Sequence, residues 1–492
     1  MSKGLVHLKN RARMACVIVA AGLSLGALSG CDSLLEVNLP ASLTDEAVND
    51  PQGALTLVNS IIGHFESGWN RKTWDSHGRE HACEVILQSP GVEDPCAFDA
   101  TIDPDLYDPI SISRSFAATL HAKLASDWDA SQVPDRDEFL ALASIYEGAN
   151  IEVMAEHLCE VTIDGGPLMT PAAAYAIAET RLTTAIAEVN SAGDFEVMHG
   201  ISTSAKSLAY GLRARVRWAL GNLSGALADA NEVPQGFTAW VTREPGLARR
   251  NLAAHHGPII GYAKLYGLID FWHGGSNPVT GAAWPSPLPF SGYRNLGILP
   301  DGRAIRDEDQ LPIRTSGSTD GHPGIEATAV EDTRVKAIPG VIQGSSESTF
   351  LHARYLSEGD DLPWVNWKEM VLIAAEATGG QGAIDKVNVL RTADNLPLVT
   401  YADPGNAQQI KEMIIEERRR ALFLEGRFYA TKLLNPDLLW FPRAQGHSVE
   451  KGEAYNGAVK HLMPESEYVL NENLTEALRA TGCAPALQPV AW

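Results

Sequence analysis

The segment HGREH, residues 77–81, sets two histidines four apart with a glutamate between them. On a helix that spacing turns both imidazoles to one side beside a carboxylate base, the arrangement of zinc-dependent hydrolysis. Gly78 weakens such a helix, the DSHG before it reads as a turn, and no downstream glutamate stands out as a third ligand, so a surface loop is favoured over zinc. Asp103, Asp105 and Asp108, within DPDLYDP, could meet Ca²⁺. They lack the glycine and bidentate glutamate of a calcium loop, and turn chemistry accounts for them. GLSLG at 22–26 fits the nucleophile-elbow pattern, but it lies in an apolar leader. The run Glu416-Glu417-Arg418-Arg419-Arg420 could be an anion site. Helical spacing instead lines Ile410, Met413, Ile414, Ala421, Leu424 and Phe428 along one side and sets Glu416 four before Arg420. That is a solvated or interhelical salt-bridge face. No motif marks a catalytic pair among the 61 acidic residues, and no catalytic residue, metal or cofactor is expected.

Binding chemistry has a different signature. Sugar C–H faces stack on aromatic rings while Asn, Asp and Arg side chains meet the hydroxyls. Aromatics among turn residues are therefore the candidate ligand contacts: Trp69, Trp74, Trp272, Trp284 and Tyr293, with Phe290 beside them. Trp128, Trp218 and Trp367 lie on helical patterns and are expected in the core.

The N-terminus bears on where such binding takes place. Lys3, Lys9, Arg11 and Arg13 form a basic head, and residues 14–28 carry no charge, the layout of a secretory signal peptide. The run is too short, and too rich in Gly and Ser, to span a bilayer, which needs about 20 apolar residues. It ends in Leu28-Ser29-Gly30-Cys31, which resembles the bacterial lipobox. Cys31 is then the expected lipid anchor and the first mature residue; at about 0.8 kcal/mol per buried methylene, two or three acyl chains hold a protein on a membrane. With a formal charge of −22 and no basic stripe, nucleic acid is excluded as a partner. Six cysteines reduce to four once Cys16 leaves with the leader and Cys31 carries lipid. Of Cys83, Cys96, Cys159 and Cys483, the pair Cys83 with Cys96 is the candidate disulfide, with free buried thiols as the alternative.

The elements that must position these groups read as helices. After the signal peptide (1–30) and a tether (31–42), a first helix is expected over 43–65, followed by an irregular stretch over 66–110. Helical periods resume in RSFAATLHAKLASDW, DEFLALASIYEGANIEVMAEHL and TPAAAYAIAETRLTTAIAEV. Ala205, Leu208, Ala209, Leu212, Val216, Ala219 and Leu220 share one face, and a break at Gly221-Asn222 begins a second helix stopped by Pro234. That pair resembles half of a tetratricopeptide repeat, and WKEMVLIAAEATGGQGAIDKVNVLR resembles another. Residues 43–240 thus form an N-terminal helical region and 356–474 a C-terminal one. Between them, 241–355 are rich in Gly, Pro, Ser and Asp without helical period, a loop-rich candidate ligand face, and 475–492 are a tail.

Together these segments resemble the SusD/RagB family of nutrient-uptake outer-membrane lipoproteins. The likeness is carried by CDSLLEVNLPASLTDEA, by MTPAAAYAIAETRLTTAIAEV with AKSLAYGLRARVRWALGNLSGALADANEV, by DLPWVNWKEMVLIAAEA with VNVLRTADNLP, and by IIEERRRALFLEGRFYATKLL with LMPESEYVLNENL. Ala421 and Ala430-Thr431 depart from the family's pattern at structural positions. The resemblance implies an all-α fold with tetratricopeptide-like pairs and a loop-rich insertion. It also implies a non-catalytic role: capture of a glycan or oligopeptide for a SusC-like TonB-dependent outer-membrane transporter. An exported glycan hydrolase and a structural helical adaptor are the rival readings.

Overall fold

The computed structural model describes residues 49–81, 104–246, 248–259, 298–304, 330–335, 337–341, 348–435 and 460–474. The chain divides at Gly53. Before that point a 3-10 turn, Pro51–Gly53, follows Asp50, whose carboxylate accepts from the Gln52 amide at 3.0 Å.

From Ala54 onward the described residues build mostly helix. Helices α1 (Ala54–His81), α2 (Pro104–Ser126), α3 (Arg136–His157), α4 (Pro171–Ala192), α5 (Ala205–Ala219) and α6 (Leu223–Ala230) each pack on the next. Their boundaries have local causes. Thr170 caps α4 by accepting from the Ala173 amide at 3.2 Å, with Pro171 at the first position, where its missing N–H is no loss. Ser204 caps α5, accepting from Ser207 N at 2.9 Å. Gly221, at φ +75°, makes the left-handed turn that ends α5, and Asn222 caps α6, accepting from Gly225 N at 3.0 Å. The expected repeat-like pair is therefore present, break included.

Strand β1 (Thr238–Val241) follows, then β2 (Ala337–Val341), β3 (Ser348–His352) and β4 (Leu362–Asn366). β1 pairs antiparallel with β4 from Thr238↔Asn366 to Val241↔Leu362, with an irregularity between Ala239 and Trp240; β2 pairs antiparallel with β3. Helices α7 (Trp367–Thr378), α8 (Gly380–Ala393), α9 (Ala407–Ala421), α10 (Phe428–Leu434) and α11 (Glu465–Leu470) complete the chain. The two helical regions meet where α7 packs on α5 and α6, and α10 reaches α1. The all-helical reading holds for the described residues, with two small two-stranded sheets added.

Two expectations are corrected. The helix that begins at Ala54 does not stop at Phe65: it runs on to His81, while residues 43–48 lie outside the described residues. The apolar period continues through Trp69, so HGREH ends a helix and 66–81 is not irregular. DPDLYDP opens α2, Pro104 taking the first position, so Asp105 and Asp108 are helical and not turn residues.

The core is ionic as well as apolar. Helix α3 is buried on all sides from Ala141 to His157, Glu152 and Glu156 included. Arg427 joins Glu156 at 2.8 Å and Glu369 at 2.8 Å; Arg215 joins Glu369 at 2.7 Å and the Trp364 carbonyl at 2.6 Å; Lys72 joins Glu156 at 3.0 Å. Burial by itself would raise the Glu369 carboxyl, but the Arg215 and Arg427 guanidiniums outweigh it and hold it at about 2. A second group lies on α9. Glu417 accepts from Arg334 at 2.5 Å and Arg391 at 2.8 Å, while Glu416 accepts from Arg420 at 2.6 Å. Arg418 stacks on Trp218 at 4.4 Å and joins Glu376 at 2.6 Å. The Glu-Arg run is thus an interhelical salt-bridge face and not a solvated one: all five residues are at most 4% exposed. Leaving any of these charges unpaired at such depth is unfavourable, so the network fixes which helices meet.

Candidate ligand pocket

One face of α1 presents His64, Ser67, Asn70 and Arg71, three, three and one apart, while the opposite face buries Phe65, Trp69 and Lys72. The first turns of α2 supply Pro104, Asp105, Asp108, Pro109 and Ile112. Ala248, Arg250 and Leu252 close the third side. Between these walls lies a cavity of about 440 Å³, large enough for one or two sugar rings.

Each wall is held by identifiable contacts. Gly68 lets α1 and α2 approach: a Cβ there would stand 2.6 Å from the Ile110 side chain. Glu66 and Asn70, one turn apart on α1, anchor the segment that carries the third wall. Glu66 accepts from Thr242 N at 2.8 Å and pairs with Arg243 at 3.2 Å and Arg249 at 3.1 Å. Asn70 donates to the Arg250 carbonyl at 2.9 Å and accepts from Leu252 N at 3.1 Å, so its amide side chain pairs with the loop as a backbone strand would. From the other side, Asn251 donates to the Asp360 carbonyl at 2.8 Å, and the His255 ring meets Glu358 at 2.5 Å.

The lining is mixed in polarity. Burial keeps the His64 imidazole below its ordinary value, and its ring lies edge-on to Phe116 at 6.1 Å. His256, just beyond the wall, is pushed down to about 4 by burial first, then by His255 and the Arg250 and Arg71 guanidiniums. Both imidazoles are neutral at pH 7. Donors and acceptors beside the apolar surfaces of Ile112, Pro109 and Leu252 suit a polyhydroxylated ligand. Among the described residues no group of three or more His, Cys, Asp or Glu side chains converges on a possible metal site.

The expected contacts fare differently. Trp69 faces away from this cavity. It is fully buried, stacked 5.8 Å from Phe65 and with Lys72 Nζ 4.2 Å from its ring, so it belongs to the core and is corrected as a ligand contact. Trp74 lies on α1. Trp272, Trp284, Phe290 and Tyr293 lie outside the described residues, as do Cys31, Cys83 and Cys96. Cys159 is disulfide-bonded, with its sulfur 3.4 Å from the Lys460 carbonyl. Trp128, Trp218 and Trp367 are core residues, as their spacing indicates. His64, Asn70, Arg71 and Arg250 were not legible as site residues. Extending the Val58, Ile62, Phe65 period by one turn to Trp69 exposes the face of α1 that carries His64, Asn70 and Arg71; no local signal marks Arg250.

A second cavity, about 390 Å³ and mainly apolar, lies between the start of α6, the α7–α8 turn and α9, lined by Leu223, Pro404, Ala407, Ile410 and Ile414 with Glu376 and Lys411.

No family model matches the sequence, and no characterised protein does so. Solved structures do resemble the fold. A SusD-like carbohydrate binding protein from Bacteroides vulgatus aligns with TM-score 0.56 at 12% identity, over 86% of this chain and 97% of the other. A SusD superfamily protein from Parabacteroides distasonis aligns with TM-score 0.57 at 13% identity, over 88% and 99%. A third, from Bacteroides thetaiotaomicron, gives TM-score 0.52 at 12% identity over 87% and 99%. At these identities the likeness defines the fold: the described residues have the helical architecture of SusD-like proteins.

Proposed function

We propose that this protein belongs to the SusD/RagB family and is a non-catalytic nutrient-binding lipoprotein. It captures a glycan at the outer membrane and passes it to a SusC-like TonB-dependent transporter. The observation that carries the reading is the polar cavity between α1, α2 and residues 248–252, set in a fold whose solved examples include a carbohydrate binding protein. The leader ending in Cys31 supports membrane anchoring. Binding is reversible and breaks no bond.

A glycan array on the purified protein tests the reading, with sugar release measured alongside. Binding without turnover is the expected result; cleavage, or silence across glycans, sinks it. Metabolic labelling with a fatty-acid analogue tests the anchor, since incorporation must depend on Cys31 and vanish in Cys31→Ala. Co-purification with a TonB-dependent transporter from the native membrane tests the partner.

A further inference from the structure

The arginines of the segment that closes the cavity are unequally provided for. Arg243 and Arg249 both reach Glu66, and Arg249 also pairs with Glu244 at 2.7 Å. Arg250, next in sequence, turns the other way and lines the cavity. Its Nε is buried and donates to nothing among the described residues, and no carboxylate among them forms an ion pair with its guanidinium. Asp105 and Asp108 share the cavity from α2, and both are exposed. The Arg250 backbone is clamped on both sides, its carbonyl by Asn70 at 2.9 Å and the next residue's side chain by Asp360 at 2.8 Å. The clamp sets where the Arg250 side chain enters the cavity. A half-desolvated guanidinium with no acid partner among the described residues is a planar donor fork open to an oxyanion.

We infer that the cavity binds glycans bearing an acidic group, a carboxylate or a sulfate ester, and that Arg250 is the residue that receives that group. The inference rests on the glycan-binding reading above and narrows it to acidic sugars. Arg71 adds positive potential from α1, and Ser67 and the exposed Asp105 and Asp108 line the same cavity, where hydroxyls of the ligand meet them. The chain's formal charge of −22 does not defeat such binding. At physiological ionic strength repulsion beyond about 8 Å is screened, whereas a hydrogen-bonded contact pair is not. Acidic ligands should therefore bind better in moderate salt than in very dilute buffer, unlike ligands drawn to a basic surface.

The test titrates the purified full-length protein in detergent with three labelled probes: oligogalacturonides for the carboxylate, sulfated galactan oligosaccharides for the sulfate, and neutral maltooligosaccharides. Tighter binding of one acidic probe is expected, and which one distinguishes the two groups. Arg250→Gln is expected to weaken that probe at least about tenfold, the factor lost with a charge-assisted bond, with the melting temperature unchanged because the guanidinium makes no ion pair among the described residues. Arg250→Lys should recover part of the loss, retaining charge without the fork. Neutral probes binding as tightly as acidic ones, or Arg250→Gln binding the acidic probe normally, overturns the inference and leaves glycan capture standing. Failure of all three classes overturns both.

Discussion

Arg427 grips the Glu369 carboxylate through its Nε at 2.8 Å, from a position 58 residues further along the chain, with both side chains at most 2% exposed. Arg215 holds the same carboxylate at 2.7 Å. Three separated segments are thus tied by one acid. Glu152, next to them, has no hydrogen bond to either oxygen, and its nearest cations stand at 3.6 and 3.9 Å.

That contrast predicts unequal substitutions. Glu369→Gln takes the shared carboxylate from two buried guanidiniums and should destabilise by about 3–5 kcal/mol. Glu152→Gln should do much less, since burial raises the Glu152 carboxyl and already favours its neutral form. Urea midpoints at constant slope measure the difference. Equal losses would show the network to be indifferent to geometry.

The same acid gives a pH dependence. Glu369 is held at about 2 in the fold against an ordinary 4.5. Its contribution is complete above pH 4.5 and declines as the pH falls towards 2, because the unfolded chain takes up the proton first. Stability measured from pH 6 down to pH 2 should fall, and the fall assigned to this residue should be missing from Glu369→Gln.

Gly68 sets the approach of α1 to α2. Gly68→Ala places a methyl 2.6 Å from Ile110 and should destabilise by about 1–3 kcal/mol. Ile110→Ala opens the space, so the two changes together should cost less than their sum in a double-mutant cycle. Additive effects would mean that the helices do not meet at this point.

Asn70 should act on the cavity through the loop. Asn70→Ala removes two hydrogen bonds, at about 1 kcal/mol each, and frees the backbone that aims Arg250. Ligand affinity should drop along with stability. Asn70→Asp keeps the bond from Leu252 N and should fall between. Titration with the glycan found by array checks the order.

Trp69→Ala should destabilise by about 3–5 kcal/mol, the range for emptying a buried aromatic site. Where the variant still folds, in the cold, its ligand affinity should match the parent's, because the ring faces the core. A selective loss of binding would return Trp69 to the list of contacts.

Much of the helical plan was legible because it depends on local rules. The Thr170-Pro171 start, the Gly221-Asn222 break and the apolar face of α5 are each written within a few residues, and the structure has them there. The ionic core was not legible. Glu416 to Arg420 carry the signature of a wet helix face, and only the packing of Asp332, Arg334, Arg391 and Glu376 around them makes that face an interior. Charge tells a sequence reader that a residue needs a partner; it does not tell where the partner lies.

The cavity divides in the same way. By itself the sequence determined most of the helical pattern, with the Thr170-Pro171 start and the Gly221-Asn222 break, because these follow from neighbours along the chain. Only the tertiary structure decided that Trp69 turns inward and that Asn70 holds a loop 180 residues away. It also left Arg250 lining a cavity with no carboxylate among the described residues in an ion pair with it, since these facts depend on which distant segments share space.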